Sequence, residues 1–148
     1  MNVIYTASAT ATGDGRNGHA SSDDGILDLD LRVPKEMGGA GGAANPEMLF
    51  AVGYAACFHS ALKLIAGQDK LDVTGSEVSA SVGIGPLDNG GFGLTVGLDV
   101  HTPHLDKPTA EALVAKAHDV CPYSNATRGN IPVTLAVVWA ADLSALPS

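Results

Sequence analysis

Two cysteines stand in this chain of 148 residues, Cys57 within Gly53-Tyr54-Ala55-Ala56-Cys57-Phe58-His59-Ser60 and Cys121 directly before Pro122. Two thiols cannot fill a tetrahedral zinc site, but they are enough for one dithiol–disulfide couple. The simplest reading of Cys57 is a small buried hydrophobe, because burial disfavours the thiolate. To act as a nucleophile it needs a cation beside it, since a mid-helix position gains nothing from the helix N-terminus. Cys121 reads either as a buried residue at a helix end or as a thiol that condenses with an oxidised Cys57.

Cations suited to a buried site are few: Arg16, Arg32 and Arg128. Arg32 alternates onto the wet face of a strand. Arg16 sits in the glycine-lined turn Gly13-Asp14-Gly15-Arg16-Asn17-Gly18, which could fold over a pocket, and Arg128 lies in a loop seven residues after Cys121. From the residues alone, Arg16 and Arg128 both stay open. Glu47 at a helix start complements the helix dipole by about 0.3–1 kcal/mol, which is sufficient reason for a carboxylate there. Ten residues before Cys57, about 15 Å along a helix axis, it would reach the sulfur only through an arginine folded back between them.

The remaining polar groups carry weaker signals. His59, two residues from Cys57, points to another helix face and is a poor base for it. His101 and His104 flank Thr-Pro without a third ligand, so no metal site is expected. His19 and His118 read as solvated. The glycine-rich stretch before Asn45 lacks the Gly-Lys-Ser/Thr of a phosphate loop, and Glu47 would repel an anion. No cofactor is expected. Phe50, Phe58 and Met48 could line an apolar pocket, with a core role favoured for at least two of the three.

Several elements must position these groups. Val3–Thr12 and His19–Ser22 read as strands around the arginine turn, and Ile26–Val33 alternates strictly, with Leu27, Leu29, Leu31 and Val33 on one face. Gly38–Ala44 reads as a flexible connector. Asn45, Pro46 and Glu47 then supply an N-cap, a first helical residue and a dipole partner for a helix running to about Ala66. From Met48 to Phe58 this helix carries no charge on any face. A helix apolar all round is covered on all sides, which predicts a second subunit. Val73–Ile84 and Gly93–Thr102 form a hairpin. A second helix opens at Lys107-Pro108-Thr109, places Ala110, Leu113, Val114 and Ala117 on one face, and ends at Cys121-Pro122. A short turn through Arg128-Gly129-Asn130 leads to a last strand, Ile131–Ala141. Three strands, helix, two strands, helix and strand make an α+β fold with mainly antiparallel sheets in one domain, 1–148.

Composition narrows the class. Eight Lys and Arg against sixteen Asp and Glu give a net charge of −8 without any basic run, so nucleic acid and anionic membranes are poor partners. No stretch reaches the roughly 18 apolar residues of a membrane span, and the N-terminus lacks a basic-then-apolar leader. A cytoplasmic location follows as the expectation, and there two cysteines are more often free or catalytic than a structural disulfide.

Taken together, Asn45-Pro46-Glu47-Met48-Leu49-Phe50-Ala51-Val52-Gly53-Tyr54-Ala55-Ala56-Cys57-Phe58 resembles the central helix of the organic hydroperoxide resistance proteins, within the OsmC superfamily. Val120-Cys121-Pro122-Tyr123-Ser124-Asn125-Ala126-Thr127-Arg128-Gly129-Asn130 resembles their second-cysteine segment, and Gly13 to Gly18 their arginine turn. The resemblance implies that Cys57 is the peroxidatic cysteine and Cys121 the resolving one. It implies further that Arg16 activates the thiolate and that Glu47 orients Arg16. It also implies an OsmC-like intertwined homodimer with central helices wrapped by sheets. Its implied substrates are organic hydroperoxides, and its implied reductant is a dithiol such as a lipoylated protein. An osmotically induced OsmC-type peroxidase and a non-enzymatic redox-sensing or apolar-ligand-binding dimer are the alternatives.

Overall fold

The computed structural model describes residues 1–138, which sort into two units, Met1–Leu49 and the described residues from Phe50 on. In the first, β1 (Ala9–Thr12), β2 (His19–Ser22) and β3 (Asp28–Asp30) form an antiparallel sheet in the order β1-β2-β3. Thr12 pairs with His19, and the chain between them makes a single 3-10 turn at Gly15–Asn17. Gly18 is required there, because a Cβ would fall 2.3 Å from the Thr12 carbonyl oxygen.

Two expected strands are shorter than their sequence patterns. Val3–Thr12 becomes regular only from Ala9, and Val3, Ile4 and Tyr5 are exposed. Ile26–Val33 contracts to Asp28–Asp30, with Leu31 bridging Ala44 alone, and Leu27 stays exposed on the face expected to be covered. A strand is held by its neighbour's hydrogen bonds and packing, and propensity without a partner does not make one. The glycine-rich connector is more ordered than expected: the amides of Gly39 and Gly41 donate to the carbonyls of Pro34 and Val33.

Asn45 caps helix α1 (Pro46–Gln68), its Oδ1 accepting from the Met48 amide at 2.8 Å. The helix passes through Gly67, where the sequence predicted its end. It ends at Gln68, and beyond it Lys70, with a φ of 56°, lets Lys70 and Leu71 donate to the carbonyls of Gly67 and Ala66. That is a Schellman closure with lysine in the left-handed position usually held by glycine.

In the second unit, β4 (Glu77–Pro86), β5 (Phe92–His101) and β6 (Val133–Val137) form a sheet in the order β4-β5-β6. The hairpin is antiparallel as predicted; β5 and β6 run parallel. A parallel pair needs a long crossover, and helices α2 (Lys107–Val120) and α3 (Pro122–Thr127) supply it. The segment after Cys121, expected as a turn, is thus a short helix begun by Pro122, a residue pre-set for a first helical position. Of the strand predicted over Ile131–Ala141, positions 139–141 lie outside the described residues.

One apolar cluster fills this unit. Tyr54, Phe58, Leu62 and Ile65 of α1 meet Val96, Leu98 and Val100 of β5 and Leu113, Val114 and Ala117 of α2, with Cys121 among them. Alternate residues of β5 and every third or fourth residue of both helices point inward, as periods of 2 and 3.6 require. Contrary to expectation, α1 is long and apolar enough to cross a bilayer by length and composition, with a mean hydropathy of 1.5. Tyr54, His59 and Ser60 interrupt its apolar run without lowering the average below that of a span. In this fold its buried face belongs to the core cluster.

Candidate active site

The arginine turn holds Arg16 against Glu47. Nη1 and Nη2 of Arg16 donate to the two carboxylate oxygens of Glu47 at 2.7 and 2.6 Å, a bidentate pair. Glu47 is nearly buried, with 12% of its side chain exposed against 38% for Arg16. The Arg16 guanidinium pulls the Glu47 carboxyl below its ordinary value, and Glu47 raises Arg16 in return. Two residues to which the sequence gave no such role brace this turn. Asn17 Oδ1 accepts from the Val33 amide at 3.0 Å. Arg32, expected to be solvated, is half-buried and donates through Nη1 to the carbonyls of Asn17 and Leu31, at 3.2 and 2.6 Å.

The two cysteines come together from α1 and from the junction of α2 and α3, 64 residues apart in sequence. Their Sγ atoms lie 3.5 Å apart, both free thiols, with Cys57 half-buried and Cys121 fully buried. A disulfide requires about 2.05 Å, so closure from 3.5 Å takes a shift of about 1.5 Å. Burial pushes the Cys57 thiol up from its ordinary value, and the neighbouring Cys121 pushes the same way; the Tyr123 backbone amide, donating to Cys57, pulls it down. The desolvation that the sequence reading weighed against a reactive Cys57 is therefore present in the fold.

A chain of buried hydroxyls runs beside this dithiol. Tyr54 Oη lies 2.8 Å from Ser124 Oγ and 3.1 Å from Thr127 Oγ1, and Thr127 Oγ1 donates to the Ser124 carbonyl. His118 Nδ1 lies 2.8 Å from Ser124 Oγ. Each hydroxyl has one proton to give. With Thr127 committed to the carbonyl, Tyr54 donates to Thr127, Ser124 donates to Tyr54, and His118 Nδ1–H donates to Ser124. The sequence assigns no role to Tyr54, Ser124 or Thr127 and suggests a solvated His118. Their signal was a tyrosine in an otherwise greasy helix facing Ser124 and Thr127, three apart on one helical face.

Other candidates fall elsewhere. Arg128 donates to the His118 carbonyl and, at 2.8 Å, to Asn125 Oδ1, tying the end of α2 to α3. His118, expected to be solvated, is half-buried and its pKa is lowered by burial and by Arg128. His19 lies between Asp28 and Asp30 at 2.6 and 2.9 Å. His59 Nε2 meets Ser76 Oγ at 2.9 Å. His101 Nδ1 faces the Val138 carbonyl. Among the described residues no group of three His, Cys, Asp or Glu side chains is arranged for a metal ion. Phe58 is wholly buried, Phe50 packs edge-on to Tyr54 and against Tyr123, and Met48 is exposed.

The sequence pattern of the OsmC-like proteins matches residues 39–136. An organic hydroperoxide resistance protein of Xanthomonas axonopodis pv. citri is 58% identical over 91% of this chain and 95% of its own. The crystal structure of an organic hydroperoxide resistance protein from Elizabethkingia anophelis superposes with a TM-score of 0.88 at 55% identity, covering 93% of this chain and 98% of that one. The organic hydroperoxide resistance protein OhrB of Bacillus subtilis gives 0.84 at 44% identity, covering 92% and 100%. The chain therefore belongs to the OsmC-like family, in its organic hydroperoxide resistance group.

Proposed function

We propose that this chain is a thiol peroxidase that reduces organic hydroperoxides to alcohols and protects against oxidative stress. The observation that carries the reading is the reduced dithiol itself. A half-buried thiol stands 3.5 Å from a fully buried one, in a chain whose relatives are organic hydroperoxide resistance proteins. The Cys57 thiolate attacks the terminal peroxide oxygen, the O–O bond breaks, and the alkoxide leaves with a proton as the alcohol. Cys57 is left as a sulfenic acid. The Cys121 thiolate then attacks the Cys57 sulfur, the S–O bond breaks, an S–S bond forms, and hydroxide leaves as water after taking a proton. Cys57 is the more exposed sulfur, so a dithiol reductant such as a lipoylated protein attacks there and expels Cys121 as the leaving thiolate.

Burial opposes ionisation of Cys57, so the reading requires a compensating cation, and we assign that role to Arg16 oriented by Glu47. We assign the whole chain to one functional domain acting as a homodimer. Met48, Val52, Ala56, Ser60 and Leu64, four residues apart along α1, are all exposed in the single chain, and a second copy would cover this largely apolar stripe. The net charge of −8 fits a cytoplasmic protein that avoids nucleic acid and anionic lipid.

Steady-state turnover of cumene hydroperoxide with a dihydrolipoamide system, lost in Cys57→Ser, tests the peroxidase. No turnover by the wild type would refute it. The same pair of sulfurs 3.5 Å apart would also serve a second reading, a redox sensor that oxidises to the disulfide without cycling. Repeated turnover excludes it. Light scattering that finds only monomer at micromolar concentration would remove the dimer.

A further inference from the structure

We infer that Tyr54, Ser124 and Thr127 form a hydroxyl clamp that positions Cys121 for disulfide closure with Cys57; the inference rests on the dithiol cycle proposed above. Helix α3 has six residues, too few to be stable without tertiary support. Cys121 is its N-cap residue and makes no side-chain cap hydrogen bond. Cys121 also caps the end of α2, its amide donating to the Ala117 carbonyl at 2.9 Å, so α2 holds one side of it and whatever holds α3 fixes the other. Tyr54 lies one turn before Cys57 on α1, and Ser124 lies one turn after Cys121. The Tyr54 hydroxyl bonds Ser124 and Thr127, joining the two turns that carry the sulfurs. His118 Nδ1 completes the chain on Ser124.

A second contact acts at the same junction. The Tyr123 ring lies over Gly53, where a Cβ would stand 2.8 Å from the Tyr123 hydroxyl, and Tyr54 and Tyr123 pack edge to face at 5.6 Å. The Tyr123 amide in turn donates to Cys57. Hydroxyls in an apolar core cost desolvation that a phenylalanine and two apolar residues would avoid. What the hydroxyls add is direction: three donors with assigned acceptors fix α3 in rotation and along its axis, which a greasy contact does not. Closure is an intramolecular attack on sulfur, and misplacement by about 1 Å can slow such a step by about 10²-fold.

The test separates two steps that general destabilisation would not separate. Cys57 oxidation by cumene hydroperoxide is followed with a sulfenic-acid trap, and closure by loss of both thiols in quenched samples under mass spectrometry. In Tyr54→Phe, Cys57 oxidation should stay within about twofold of wild type while closure slows by about tenfold or more, with sulfinic Cys57 accumulating. Thr127→Ser, which keeps the hydroxyl, should close at the wild-type rate, and Thr127→Val should not. If Tyr54→Phe does not fold, Ser124→Ala serves in its place with the same expectation. Closure within about twofold of wild type in a folded clamp variant, or equal slowing of both steps, overturns the proposal. A parallel arm uses diamide, which one thiolate adds to and the second displaces as the hydrazine, giving the disulfide without peroxide. Slowed closure of Tyr54→Phe with diamide supports the clamp even if the wild type ignores hydroperoxide, a result that would refute only the peroxidase reading.

Discussion

The Arg16–Glu47 pair and the Cys57–Cys121 pair are held by opposite means. The first is a bidentate ion pair with a partly exposed guanidinium, on a glycine turn braced by hydrogen bonds from the Arg32 side chain and the Val33 amide to Asn17. The second is a pair of neutral thiols in an apolar cluster, aligned by packing and by uncharged hydroxyls. Charge-assisted hydrogen bonds fix a group's ionisation and direction but add little stability where solvent screens them. Packing fixes distance and excludes water, yet it pushes a thiol toward its unreactive form. The thiol peroxidase proposed above needs both properties, and each region has what the other lacks.

Substitutions should divide along that line. The largest effect belongs to the dithiol. Cys57→Ser should abolish hydroperoxide turnover, while Cys121→Ser should allow one turnover and then accumulate over-oxidised Cys57, seen by intact mass. Next comes Arg16→Ala, which should lower kcat/KM by about 10²-fold, the usual loss of a preorganised charge partner, with little change in unfolding midpoint. Its rate should still be rising with pH above 9, because burial pushes the Cys57 thiol up from 9.0 and only the Tyr123 amide is then left to oppose it. A wild-type rate that rises over the same range would remove the activating role of Arg16.

Stability should show the reverse order. Phe58→Ala opens a cavity in the cluster around α1 and should cost about 3–5 kcal/mol in denaturant unfolding. Glu47→Gln should cost at most about 1 kcal/mol, because a screened pair contributes little, while still impairing catalysis. The smallest effect is in acid. Glu47 has a depressed pKa, so what it contributes is present above the ordinary carboxylate value of 4.5 and lost only as pH falls below that value through the folded one. Activity corrected for thiolate fraction should therefore be level down to about pH 4.5 and fall only below it.

Most of the element order was legible from residue pattern. The capping signal at Asn45-Pro46-Glu47, the alternation of β4 and β5 and the buried face of α2 reappear as predicted, because each is a local property of period and cap chemistry. The strands Val3–Thr12 and Ile26–Val33 were overread, since their patterns declare a β preference without naming a partner. Helix α3 was missed because six residues beginning with proline look like a turn until Tyr54 supplies the hydroxyl that holds them. Arg32 was misassigned by alternation: its position lies on the wet face, yet its long side chain curls back to carbonyls of the arginine turn.

Residue types and order alone settled which groups are available for chemistry here: two thiols, three guanidiniums, an acidic helix start and an apolar helix that cannot be satisfied by water. The residues by themselves left the guanidinium open and only the family resemblance pointed to Arg16; that it meets Glu47, and that sulfurs 64 residues apart come to 3.5 Å, is set by the folded chain. The physical reason is range. Periodicity and capping act over one to four residues, whereas ion pairing and sulfur contact depend on distances that only long-range packing sets.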